Sequence, residues 1–95
     1  MEVLKKLDSA ELDAAITRLP GWTFDGGELV RTWSFPDFVA AMLFVNHVAA
    51  TAEAAGHHPD IDIRYNRVRL ALVTHDAGGI TSVDVDMAGH LNQLG

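Results

Sequence analysis

The chain has 95 residues, 48% hydrophobic and 21% charged, with a formal net charge of −6 and no cysteine. That composition suits one small globular domain spanning 1–95 and excludes both a disordered segment and any disulfide or thiolate metal site. The acidic balance argues against nucleic-acid binding as a main activity, because such binding needs a basic surface.

Leu7-Asp8-Ser9-Ala10-Glu11-Leu12 reads as a helix start. Asp8 caps, Glu11 reaches back from the third helical position, and Leu7 packs on Leu12. Leu12, Ile16 and Leu19 then share one face, and Pro20-Gly21 ends the helix. Two strands follow, Trp22–Asp25 and Glu28–Trp33, joined by Gly26-Gly27 as a tight turn that needs positive φ. Period two places Trp33 with Arg31 on one face and Thr32 with Val30 on the other.

Ser34-Phe35-Pro36-Asp37 predicts the next helix start, with Ser34 as cap and Asp37 completing the box. The helix is expected to run to about Ala55, with Gly56 as its stop. Phe38, Met42, Val45 and Ala49 mark one buried face, and Val39, Leu43 and Ala50 a second. A helix apolar on two sides in so small a protein predicts packing on the sheet and on a partner subunit. Ile61, Ile63 and Tyr65 alternate with Asp62 and Arg64 as a half-buried strand, Asn66-Arg67 predicts a turn, and Val68, Leu70 and Leu72 form the return strand. Thr81-Ser82-Val83-Asp84 opens a final helix through Met87 and Leu91. The order is α-β-β-α-β-β-α. It predicts an α+β two-layer sandwich, a four-stranded antiparallel sheet with three helices on one face. No signal-like run and no stretch near ~20 uninterrupted apolar residues occurs, so no membrane partner is expected and the cytoplasm is the default location.

The polar chemistry concentrates in Glu53-Ala-Ala-Gly-His57-His58-Pro59, where the long apolar segment stops, and His75 arrives at the end of a later strand. His57 and His58 after a helix C-terminus are explained in part by the helix dipole, which favours a cation there. Glu53, four residues before His57, is within reach of it if the helix persists, and a carboxylate on an imidazole fixes its tautomer. Pro59 holds His58 extended. His75 has the plainer reading of a strand-end histidine, and Asp84 that of the third position of a capping box. Trp22 and Trp33 read first as core, although a tryptophan at a strand start can wall a flat pocket. His47 and His90 read as surface residues. Adjacent histidines lack the His-x-His or His-x-x-x-His geometry of zinc ligands, so no metal and no cofactor are expected. Proton transfer near neutral pH is the remaining use for three histidines in one place.

Glu53-x3-His57-His58-Pro59, then Tyr65, His75 and Asp84 at their spacings, resembles the signature of the pterin-4a-carbinolamine dehydratases. Leu19-Pro20-Gly21-Trp22, Ser34-Phe35-x-Asp37-Phe38 and Tyr65-Asn66-Arg67-Val68 resemble that family too, so the likeness extends over nearly the whole chain. The resemblance implies a hydro-lyase that dehydrates 4a-hydroxytetrahydropterin to quinonoid dihydropterin in tetrahydrobiopterin recycling, acting as a homodimer or homotetramer on a pterin substrate. It implies His57, His58 and His75 as the catalytic set: His57 and His75 the acid–base pair, His58 an orienting or pterin-binding group, Glu53 orienting His57, Trp22 and Thr74 lining the pterin site, and Asp84 orienting or binding. Two positions depart from the pattern. Gly56 stands where some members carry an acidic residue, and Val83 where some carry arginine, which bears on pterin contacts more than on the elimination. The rival readings are a protein-binding member, as a transcriptional cofactor or assembly chaperone, and a small histidine metal-binding module.

Overall fold

The computed structural model describes residues 4–94. Asp8 caps α1 (Ser9–Thr17) through a reciprocal box. The Glu11 amide donates to Asp8 Oδ1 at 2.8 Å, and the Asp8 amide donates to Glu11 Oε1 at 3.0 Å. Leu12, Ala15 and Leu19 are buried. Gly26 and Gly27, at φ +60° and +86°, turn β1 (Thr23–Asp25) into β2 (Glu28–Ser34), the two-positive-φ turn expected of a glycine pair. Trp22 lies just outside β1.

α2 spans Phe38–Ala55 and begins three residues later than the sequence suggested, capped by Asp37 rather than Ser34. Ser34 is the last residue of β2, paired with Arg67. The Asp37 carboxylate accepts the Ala40 amide at 2.8 Å. The buried face of α2 is Ala41, Phe44, Val45, Val48 and Ala52. Of the first face expected from the sequence only Val45 is buried outright, with Met42 partly so, while Phe38 and Ala49 are exposed. Val39 and Leu43 are 66% and 57% exposed and form an apolar stripe along the outer side.

β3 (Asp60–Arg64) and β4 (Arg67–Leu72) form the second hairpin. Its turn is Tyr65-Asn66, one residue earlier than expected, and Tyr65 rather than Asn66 adopts positive φ, at +52°. Asn66 ties the turn to the exit of β2: its Nδ2 donates to the Phe35 carbonyl and its own carbonyl accepts the Phe35 amide, both at 2.8 Å. All sheet pairings are antiparallel, in the order β1-β2-β4-β3, so β4 is central and β3 an edge. The edge position leaves every residue of β3 exposed, so it is not the half-buried strand its alternation suggested.

The register assigns one sheet face to Leu29, Trp33, Val68, Leu70 and Leu72. These pack with Leu12 of α1, Phe44 and Val48 of α2, and Met87, Ala88 and Leu91 of α3 (Ser82–Asn92) in a single core. All three helices thus cover the same face. Arg31, on that face beside Trp33, stacks on the indole at 4.4 Å and donates to the Pro20 carbonyl and to Asn92 Oδ1. This draws the end of α3 onto the first hairpin. Gly21, at φ +85°, leaves room for that guanidinium, which a Cβ there would meet at 2.5 Å.

Candidate active site

Three chain segments converge at one end of the sheet: the exit of α2, the exit of β4 and the first turn of α3. Gly56 stops α2 in the left-handed conformation, φ +67°. The His57 amide still closes on the Ala52 carbonyl at 3.2 Å, but the chain then turns away from the helix. His57 and His58 consequently leave in different directions and find different carboxylates.

His57 pairs with Asp84, its Nε2 2.6 Å from Oδ1. Glu53 pairs instead with His58, Oε1 to Nε2 at 2.8 Å. The i,i+4 contact expected between Glu53 and His57 does not form, because the helix has ended before residue 57. The two pairs differ in setting. Asp84 has no solvent exposure and His57 is 17% exposed, whereas Glu53 and His58 are both largely exposed. An exposed pair of this kind is weak and screened by salt.

Asp84 is the third residue of α3 and completes the capping box with Thr81, so its capping and site contacts coexist. Its Oδ2 accepts the Thr81 amide at 2.9 Å and the Thr74 hydroxyl at 2.7 Å. A carboxylate only accepts, so the Thr74 proton is committed to it. The Thr81 hydroxyl, 2.8 Å from Thr74 Oγ1, is then the donor in that contact. Three donors, from Thr74, Thr81 and His57, satisfy a buried carboxylate that would otherwise be strongly destabilising. The same logic fixes the imidazole: Nε2–H donates to Asp84, and Nδ1 of the neutral ring keeps its lone pair.

Thr74 is buried and bridges to Gly79 through the backbone. His75 follows it as the exposed first residue of a short 3₁₀ turn, His75–Ala77, and so sits one residue from a side chain that shares Asp84 with His57. Glu53 and His58 form a separate exposed pair at the exit of α2, His75 is placed only by its adjacency to Thr74 in the chain, and His57, Asp84, Thr74 and Thr81 make one hydrogen-bonded network. Trp22 does not join it. It is buried against Trp33 and its Nε1 donates to Asn92 Oδ1 at 2.7 Å. Asn92 lies eight residues beyond Asp84, about 12 Å along α3. Thr81 was read from the sequence only as a cap; its membership of the hydroxyl chain depends on contacts that the spacing does not encode. Among the described residues no group of three or more His, Asp or Glu side chains is gathered as a metal site.

Residues 5–94 match the family described as Pterin 4 alpha carbinolamine dehydratase. A protein of Acidobacterium capsulatum, provisionally named a pterin-4-alpha-carbinolamine dehydratase, is 55% identical over 91 residues, covering 96% of this chain and 99% of its own. One from Chloroflexus aurantiacus with the same provisional name is 52% identical, covering 96% and 98%. The crystal structure of a Brucella melitensis protein titled a transcriptional coactivator/pterin dehydratase superposes with a TM-score of 0.91 at 34% identity, covering 95% of this chain and 98% of that one. A pterin dehydratase-like protein described as a RuBisCO assembly factor of the alpha-carboxysome shares the fold, with a TM-score of 0.67 at 22% identity. By sequence match along almost its whole length, the chain belongs to the pterin 4 alpha carbinolamine dehydratase family.

Proposed function

We propose that the protein is a cytoplasmic hydro-lyase that converts 4a-hydroxytetrahydropterin to quinonoid dihydropterin and water, as a step of tetrahydrobiopterin recycling. The observation that supports this reading most directly is the hydrogen-bonded chain Thr81–Thr74–Asp84–His57 beside His58 and His75. In the reaction, N5 loses a proton, its electron pair forms the N5=C4a bond, and the C4a–O bond breaks. The departing hydroxyl takes up a proton and leaves as water. One base and one acid suffice, and no metal or redox partner enters the balance.

His57 is suited to the base. Its Nδ1 lone pair is free, and the imidazolium formed on protonation is held against the buried Asp84 carboxylate. His75 is suited to the acid, donating from its imidazolium to the leaving hydroxyl. After turnover His57 carries the extra proton and His75 lacks one. Both rings reach solvent and reset by exchange with water. His58, held by Glu53, binds or orients the pterin. Positioned acid–base groups contribute typically ~10²–10⁴-fold. The test is stopped-flow absorbance of freshly generated 4a-hydroxytetrahydropterin. The wild-type protein should accelerate its decay and the His57→Ala/His75→Ala variant should not. Equal decay with and without the wild-type protein sinks the proposal.

A second reading, a non-catalytic protein-binding role, is favoured by the exposed stripe of α2 and by the description of the Brucella melitensis relative as a transcriptional coactivator as well as a pterin dehydratase. It predicts that cellular function survives loss of the histidines and fails with changes on the helix surface. The same stripe, with Ile61 and Ile63 exposed on the β3 edge, supports self-association as a homodimer or homotetramer.

A further inference from the structure

The helix-free face of the sheet carries an arrangement that the dehydratase reading does not use. Arg64, Arg67 and Arg69, three of the seven basic residues on a chain of net charge −6, line one depression of about 270 Å³ together with Thr32 and Asp62. The register explains the grouping. Thr32, Arg69 and Asp62 form one row across β2, β4 and β3, and Arg67 and Arg64 lie two residues further along in the next. The rows are about 7 Å apart and the three strands span about 10 Å.

Ordinary structural causes account for only part of it. Charged residues on an edge strand discourage unwanted pairing, which covers Arg64 and Asp62 on β3. Arg67 and Arg69 are on β4, which is paired on both sides. Arg64 donates to Asp62 Oδ1 at 3.1 Å, and this contact raises its pKa further, while among the described residues no carboxylate pairs with Arg67 or Arg69. Arg64 and Arg67 are directly opposite one another across the ladder, an unfavourable like-charge pair. Three guanidiniums and one carboxylate leave a local charge of about +2, with Thr32 supplying a hydroxyl donor.

We infer that this face is a binding site for a small phosphate monoester, whose dianionic phosphoryl group is held by Arg64, Arg67, Arg69 and Thr32. The charge matches a monoester above its second pKa of about 6, and guanidinium forks suit phosphoryl oxygens in bidentate contact. The depression leaves room for part of the ester's organic group. A patch about 10 Å wide on an acidic protein does not provide the long basic stripe that a nucleic acid tracks. Arg69 is about 20 Å along β4 from His75, so the site is separate from the histidine cluster.

The test is amide NMR titration at constant ionic strength with ribose 5-phosphate, inorganic phosphate and sulfate. Saturable shifts are expected at Thr32, Asp62, Arg64, Arg67 and Arg69, with a Kd for ribose 5-phosphate of about 1 mM. Binding should weaken at least about tenfold in Arg67→Gln/Arg69→Gln, and tighten in Asp62→Asn. Affinity for the ester should fall below pH 6, where the phosphoryl group gains a proton, and affinity for sulfate should not. These side chains are exposed, so the variants keep the fold and the dehydratase rate. Non-saturating shifts, or shifts unchanged in the double variant, overturn the inference. So does binding of inorganic phosphate without ribose 5-phosphate, or a single-stranded oligonucleotide that binds more than a hundredfold tighter than the ester.

Discussion

The imidazole of His57 and the carboxylate of Asp84 meet at 2.6 Å across 27 residues of chain, with the carboxylate wholly out of solvent. The contact joins the end of α2 to the beginning of α3. It makes one residue both the third-position member of a helix's capping box and the partner of a candidate base.

Asp84→Asn separates those duties. The amide oxygen takes the place of Oδ2, because Thr74 and Thr81 both donate there. The amide nitrogen then faces His57 Nε2, which must accept, so the imidazole proton moves to Nδ1 and the free lone pair is lost. Dehydration is expected to fall about 10²-fold in kcat with little change in KM. The ¹⁵N shifts of the His57 ring should report the exchanged tautomer. An unchanged rate alongside an exchanged tautomer removes His57 as the base.

The Glu53–His58 pair is solvated on both sides, so Glu53→Gln is expected to change kcat less than about threefold at moderate salt. His58→Ala should raise KM more than it lowers kcat if the ring orients the pterin. Steady-state kinetics of the two variants check this. A large kcat loss in Glu53→Gln would transfer to Glu53 the orienting role the geometry gives to Asp84.

How much of this was legible in the sequence follows the range of each interaction. The capping residues Asp8 and Thr81 and the Gly26-Gly27 turn act over three or four residues, and the sequence names them directly. Ser34 has the local sequence of a cap, but pairing with Arg67, a tertiary event, keeps it in β2. The buried face of α2 is not legible from its sequence, because Phe38, Val39, Met42 and Leu43 make the first turns apolar nearly all round. Periodicity then has no polar side from which to take its phase. Spacing points Glu53 at His57, but the i,i+4 rule assumes a helix that Gly56 ends, and Glu53 meets His58 instead. The His57–Asp84 contact has no local signature; the family spacing brought both residues forward without saying that they touch.

Gly56 permits that divergence, and its φ of +67° disfavours any side chain. A Cβ there meets nothing within 4 Å, so Gly56→Ala reports backbone strain alone. The expected cost is about 1 kcal/mol, a fall of roughly 4–8 °C in Tm for a domain of this size. Thermal unfolding by circular dichroism measures it. An unchanged Tm means the exit of α2 relaxes to another conformation.

Asn92 is the acceptor for both Trp22 Nε1 and Arg31, and it donates to the Pro20 carbonyl at 3.2 Å. Asn92→Ala strands the indole N–H of a residue only 3% exposed. The expected destabilisation is about 1–3 kcal/mol. Dehydration below the transition temperature should be unaffected, since the residue is some 12 Å from Asp84 along α3. Urea unfolding and the kinetic assay together separate the two effects. A lost rate in folded protein would bring Trp22 back into the pterin site.

Val39 and Leu43 lie four residues apart on the outer side of α2, the spacing of one helical stripe, and both are more than half exposed. Charge placed there has little effect on the isolated chain but is strongly unfavourable if the stripe is covered by a second copy. Sedimentation of Leu43→Glu is expected to show a smaller assembly than the wild-type protein at equal concentration, with the helical content of the chain retained. If the wild-type protein sediments as a monomer, or if the variant keeps the wild-type assembly, α2 is not the self-association surface. The stripe is then left available to a different protein, and the protein-binding reading gains from the same result that removes the oligomer.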